Sequence, residues 1–377
     1  MNHKKRMKNI DIARGIAMIL VVMGHCDNFK FWSIEKFSSL FFMQLFIFLS
    51  GIFFGENCNS LKELFVTIKK KCLPIYKYYL KYEILFYLLT NLFFKIGFYN
   101  INILYGGKSI EYISLNIAFV KNIIKIIFLM GREPFCGAFW FLISLIFIII
   151  EYSCINYLAN KFFDSNYDKK QFFVNIMIGI MFIVGCIMNY TGFNIPRLSP
   201  SFTLILFFHL GNLYRKKGRI QFDNLVFFVL CVLTLNVLYY FGTISMNSNT
   251  YSNPIFLIIC SFAGIYMVMY LSKFIEKKLK YISNILAYVG KNTLPIVALQ
   301  FISFKFIMFI QYKLNLISYE ELGLLTGANN NNFIYILYVI CGIFIPLVFS
   351  YLIQKIKIYI RKGEKNENIN YYKARHS

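Results

Sequence analysis

The placing of apolar residues constrains this chain more than any other feature. They gather in blocks close to the roughly 20 residues that a helix needs to cross a hydrocarbon core, with short basic segments between the blocks. Of 377 residues, 58% are hydrophobic and 15% are charged, against roughly 25% charged in a soluble domain. A soluble domain and a disordered chain are both excluded. The expected fold is all-α, a polytopic transmembrane helix bundle of about ten spans. They fall near residues 10–26, 38–55, 75–98, 138–160, 172–190, 200–214, 223–242, 254–273, 284–312 and 333–356. The first block lacks a small-residue cleavage site behind it and reads as a span, not a signal peptide.

The net charge of +23 comes from 40 Lys+Arg against 17 Asp+Glu. On a soluble protein this excess would point to nucleic acid; here it follows alternate loops, so no nucleic-acid partner is expected. Clusters such as Lys4–Lys5–Arg6–Lys8, Lys69–Lys70–Lys71, Arg215–Lys216–Lys217 and Lys277–Lys278 fall on one side. The other side holds only scattered cations, among them Lys36, Lys125, Arg197 and Lys313. The positive-inside rule then places both termini in the cytoplasm. An amphipathic stretch, Ser114 to Met130, carries Lys121 and Lys125; as an eleventh span it would invert every later loop, so it reads as interfacial or re-entrant. No repeat or second domain is visible: residues 1–360 form the membrane domain and 361–377 a polar cytoplasmic tail. The nine cysteines form no CxxC pair, which indicates neither a disulfide framework nor a metal site. Gly51 and Gly55 form a GxxxG in the second span, a sign of close helix packing.

Polar groups inside a membrane are costly, so each invites a functional reading. In the first span Arg14 and His25 are eleven residues apart, three turns plus about 20°, which puts them on one helix face roughly 16 Å apart. Asp11, three residues before Arg14, can pair with it. Arg14 lies toward the cytosol, where a guanidinium can neutralise an anionic ligand. His25 lies toward the outer half and can exchange a proton near pH 7. An anion clamp and a base on one stripe suit transfer of a group from a long cytosolic donor to an outside acceptor. The plainer alternative has Arg14 snorkelling to the inner surface and His25 capping the outer end. His209 reads as a satisfied or interfacial histidine. Glu83 and Lys95, nearer span ends, read as structural charges; Glu151 and Lys305 lie deeper, and whether they meet is left open. Glu133 is a candidate acceptor contact. Lys69–Tyr79 reads as an inner basic loop, a lipid contact or a funnel for a polyanionic donor. Walker, GxSxG, HExxH and Rossmann signatures are missing.

At these residues the chain resembles the membrane acyltransferase-3 family of polysaccharide O-acetyltransferases and fucose 4-O-acetylase-like proteins. The carriers are Arg14 and His25 at the family's spacing, Phe41–Gly51 ending in Ser-Gly, and the basic segment ending in Leu73-Pro74-Ile75-Tyr76. Ala138–Leu142 and Val289–Ile296 (V-G-K-N-T-L-P-I) complete the set. Phe42 and Gln44 stand where many relatives have His and Pro, and Gln300 where a His often ends the late motif. The resemblance implies an O-acetyltransferase of the bacterial plasma membrane, with cytosolic acetyl-CoA as acyl donor and no metal. The implied acceptor is a sugar hydroxyl of a cell-envelope polysaccharide or other carbohydrate outside. On that basis Arg14 with Lys69, Lys70 and Lys71 would bind the CoA phosphates, His25 would act as general base, and Trp140 and Ser50 would line the pocket. A non-enzymatic transporter or flippase of glycan intermediates is the main alternative.

Overall fold

The computed structural model of the chain describes residues 7–26, 33–55, 58–105, 107, 109–131, 133–163, 166–217, 221–327 and 332–374. Lys4, Lys5, Arg6, Lys30, Lys108, Arg132 and Arg219, which enter the charge pattern, lie outside these residues, as does most of the polar Asn329–Asn332 run expected as an outer loop tip.

Helices account for most of the described chain. In order they are α1 (Lys8–His25), α2 (Ile34–Ser39), α3 (Phe42–Gly51), α4 (Leu61–Lys95), α5 (Ile117–Ile127), a 3-10 turn (Pro134–Phe139), α6 (Trp140–Phe163) and α7 (Tyr167–Thr191). Then follow α8 (Ser199–Lys217), α9 (Leu225–Phe241), α10 (Pro254–Lys278), α11 (Lys280–Lys291), α12 (Thr293–Lys313), α13 (Tyr319–Leu322) and α14 (Asn332–Ala374). Among the described residues six segments are long and apolar enough to cross a membrane: Ile34–Gly51, Pro134–Phe163, Tyr167–Thr191, Pro254–Lys278, Thr293–Lys313 and Phe333–Ile356. The other expected spans are helices as well. Of these α1 is interrupted by Lys8, Asp11 and Arg14, and α9 is shorter.

Three boundaries differ from the sequence reading. Lys69–Tyr79 is not a loop but part of α4, which continues through Pro74. The expected ninth span is two helices, α11 and α12, which part at Asn292. Pro295 accounts for the break: it has no N–H to return to the Lys291 carbonyl, and it sits comfortably in the first turn of a new helix. The last helix does not stop near residue 356 but runs on to Ala374.

Close packing holds the bundle where side chains vanish. α1 and α11 cross so tightly that a Cβ on Gly15 would run into the Leu286 carbonyl and one on Gly290 into that of Asp11. α3 and α8 repeat the device: Gly51 lies on the Phe208 carbonyl and Gly211 on that of Phe48. Small residues thus let two pairs of backbones meet, as in other membrane helix contacts.

The amphipathic stretch follows a re-entrant course relative to the bundle, down along α4 and back. Asn91 of α4 exchanges hydrogen bonds with Ile113 (2.6 and 2.8 Å), Tyr87 stacks on Phe119, and the Tyr76 hydroxyl donates to the Ile127 carbonyl at 2.8 Å. α5 therefore descends along α4 by about four turns, from the level of residue 91 to that of residue 76. The chain then climbs back, and Phe135 packs on Phe86 and Phe93. α6 begins there and runs back along α4, where the Cys72 thiol meets the Ile146 carbonyl.

The only sheet among the described residues is a two-stranded hairpin, β1 (Ile244–Ser245) with β2 (Thr250–Tyr251). Its turn residue Asn249 takes a left-handed backbone, φ 52°. The fully buried Asn249 amide pins the hairpin down: it accepts from Thr203 at 2.8 Å and donates to the Gly185 carbonyl at 3.1 Å.

Candidate active site

Segments that the sequence places outside converge on one cavity of about 1650 Å³. Its walls come from the end of α1, from α2, from the re-entrant segment and 3-10 turn, from the 194–200 turn, from the hairpin, and from Phe301 and Leu325. Val21, Gly24 and His25 bring α1 into the wall, and Trp140, Ile143 and Phe147 present one face of α6.

His25 occupies the last turn of α1, half-buried, with its ring 5.0 Å from that of Phe301 of α12. Among the described residues neither ring nitrogen has a hydrogen-bond partner. The imidazole is held by packing and its nitrogens are open to the cavity, the state a proton acceptor needs before substrate arrives.

Two carboxylates share the cavity. Glu83 of α4 and Glu133 at the foot of the 3-10 turn are both buried. The Glu133 backbone N–H donates to Glu83 Oε2 at 3.3 Å, and the Tyr99 hydroxyl donates to Glu133 Oε1. Beside them, the Tyr79 hydroxyl accepts from the Gly131 N–H at 2.9 Å. Arg197, whose backbone is left-handed (φ 72°), donates to the carbonyls of Leu129 and Gly131. The return limb of the re-entrant segment is thereby fixed against α4 on one side and the 194–200 turn on the other.

A further cation secures the roof. Lys305 is fully buried on α12, one turn beyond Phe301, and its Nζ donates to the carbonyls of Leu322 (2.6 Å) and Leu324. Tyr105, itself a cavity residue, donates to the Gly323 carbonyl between them at 2.6 Å. Three successive carbonyls at the end of α13 are thus caught, and they place Leu325 in the wall. A cation at a helix C-terminus also meets the favourable end of the helix dipole.

Of the residues singled out from sequence, the structure brings His25, Glu133 and Trp140 to this cavity. Arg14, Asp11, Ser50, Lys69, Lys70 and Lys71 do not line it. Arg14 lies two turns below Val21, where its guanidinium covers the Phe53 ring at 4.7 Å and approaches the Leu49 carbonyl at 3.4 Å. Between Arg14 and the cavity, Ala17 and Met18 are fully buried. Asp11 is buried where α1 crosses α11. The Ser50 hydroxyl donates to the Phe46 carbonyl within its own helix, at 2.8 Å. Lys71 lies over the Phe54 ring at 4.9 Å.

Glu151 and Lys305 do not meet: Glu151 accepts from Ser201 at 2.6 Å, and Lys305 has its carbonyls. Sequence reasoning passed over Glu83 as a site residue, because its place in the cavity depends on the climb of the chain back to Glu133. Gln44 and Gln300, which replace residue types common in the resembling family, are fully buried. Among the described residues their side-chain amides make no hydrogen bonds.

Neither a curated protein nor a solved structure matches the chain. A family model does. The free imidazole of the first helix, the cavity before it and the glycine-locked late motif all fall within its reach. Described as an acyltransferase domain, it matches residues 7–355, so the chain belongs to the membrane acyltransferase-3 family.

Proposed function

We propose that this membrane acyltransferase moves an acetyl group from cytosolic acetyl-CoA to a hydroxyl of an extracytoplasmic carbohydrate. In this reading the helices make ten passes with both termini in the cytoplasm. The supporting observation is the position of His25, its nitrogens unengaged, at a cavity built from every segment that the charge pattern puts outside. Carboxylates and aromatic faces together suit a polyhydroxylated ligand: Glu83 and Glu133 accept hydrogen bonds from hydroxyls, and Trp140 offers a flat apolar surface.

His25 takes the proton of the acceptor hydroxyl as its oxygen adds to the thioester carbonyl. The carbon–sulfur bond then breaks, the new ester stays on the sugar, and the thiolate leaves with a proton returned from the imidazolium. Arg14 and the lysines of α4 hold the donor phosphates below. Because Ala17 and Met18 close the interval between Arg14 and the cavity, the donor arm must part the helices there to bring its thioester to His25.

Membranes containing the protein and given acetyl-CoA labelled in the acetyl group should label carbohydrate, and His25→Ala should abolish the labelling. A donor that binds without covalent transfer would overturn the reading. Membership of an acyltransferase family leaves the transporter alternative without an observation of its own.

A further inference from the structure

The rim of the cavity has two sides: Glu35, Ser109 and the hairpin residues Ser245, Asn247 and Ser248 make one side polar and exposed, and the other side is apolar. Phe128 and Met130 both line the cavity and are 70% and 59% exposed, and Ile195 faces them across the opening at 41%. They belong to the return limb of the re-entrant segment and to the turn that Arg197 ties to it. Outward from this rim the exposed side chains of α5, Val120, Ile124 and Ile127, continue the apolar surface. α5 lies beside residues 76–91 of α4, whose own exposed side chains include Leu85 and Leu88. A wall of this kind suits contact with hydrocarbon, and a cavity edge that lies against it gives a lateral way in beside the polar one.

The same wall carries charge in one place. Lys125 is exposed and also lines both the main cavity and a second recess of about 310 Å³ directly beneath α5. Lys121 stands one turn away on the same side of the helix, exposed as well. The recess shares Glu83, Asn122 and Glu133 with the main cavity, so the two are adjacent. An apolar lateral mouth, a pair of ammonium groups at its edge and a hydroxyl-accepting interior form three consecutive zones. They match the three parts of one class of molecule: a lipid chain, a phosphate and a sugar.

We infer that the acceptor is a glycan carried on a lipid phosphate, which enters from the bilayer past α5 with its phosphate at Lys121 and Lys125 and its sugar toward His25. This assignment rests on the transfer to carbohydrate proposed above and adds the carrier.

The test uses the full-length protein in nanodiscs with labelled acetyl-CoA. Two acceptors are compared: the lipid-linked glycan fraction extracted from the source cells, and the same fraction after mild acid has cut the sugar from its phosphate. Label should enter the intact fraction about tenfold faster or more. The K121A/K125A variant should raise the KM for the intact fraction about tenfold, with kcat and the reaction of the released glycan unchanged, and K121R/K125R should retain the low KM. Equal labelling of the two fractions, or a double variant that slows both alike, overturns the lipid carrier. Label that enters only finished polymer supplied to the outer face overturns it too, but leaves transfer to carbohydrate standing. Label in none of them overturns both.

Discussion

Two histidines sit in apolar helices of this protein, and their surroundings are opposite. The His209 ring on α8 is 4% exposed, with Nδ1 2.9 Å from the Tyr152 hydroxyl and Nε2 2.9 Å from Asn175 Oδ1. Tyr152 also donates to Asn212, which in turn donates to the Phe54 carbonyl. Each ring nitrogen of His209 is spent on structure. His25 has an aromatic neighbour and open nitrogens. The contrast shows that a histidine in a membrane helix is qualified for proton transfer by what it does not bond to. A saturated imidazole specifies packing, because a proton moved there would break a bond already made.

This contrast can be broken in order of expected effect. Replacing His25 by Ala should lower transfer by about 10²–10⁴-fold, with thermal unfolding in detergent unchanged; a residual rate within a few-fold of wild type would remove the base from the scheme. Next comes Gly290→Val, which puts a branched side chain against the Asp11 carbonyl and forces α1 from α11. It should cost about 1–3 kcal/mol, read as a lower unfolding temperature together with lost transfer. His209→Ala removes two hydrogen bonds, although Tyr152 keeps Asn212 and the exposed Asn175 keeps Gln171, and it should cost a comparable 1–3 kcal/mol, about the net worth of the two bonds lost. Its transfer rate per folded molecule should stay within about twofold of wild type, and a loss as deep as that of His25→Ala would erase the distinction. The smallest effect belongs to Gln300→Leu. Removing a buried amide without partners should raise stability by about 1 kcal/mol, and a fall in unfolding temperature would show that the amide is engaged.

The helices were legible because apolar runs are a one-dimensional signal, and six of the resulting segments are long and apolar enough to cross a membrane among the described residues. The alignment of Arg14 with His25 followed from helix geometry alone, and both Val21 and His25 do face the cavity. Depth was not legible. The pattern of Ser114–Met130 gives the face of α5 but not its level, which is set by Asn91, Tyr87 and Tyr76 on another helix. Glu83 was hidden for the same reason, since a carboxylate in a span carries no sign of which loop will return to it. Lys69–Lys71 read as a loop because clustered lysines mark one, although each is also a good helix former. The break at Asn292 had only Pro295 to announce it, and a proline in an apolar run signals a kink as readily as a new helix.

The crossing of Gly15 with Gly290 has a consequence for how the protein is made. The helix that carries His25 leaves the ribosome long before α11, which brings the surface it needs. Until α11 arrives, the opening helix must wait in the bilayer without its closest neighbour, its buried Asp11 among lipid or provisional companions. The settling of the helix that carries His25 is thus timed by the synthesis of α11. A nascent chain halted before Leu286 should insert its early helices and yet remain unable to settle the first of them.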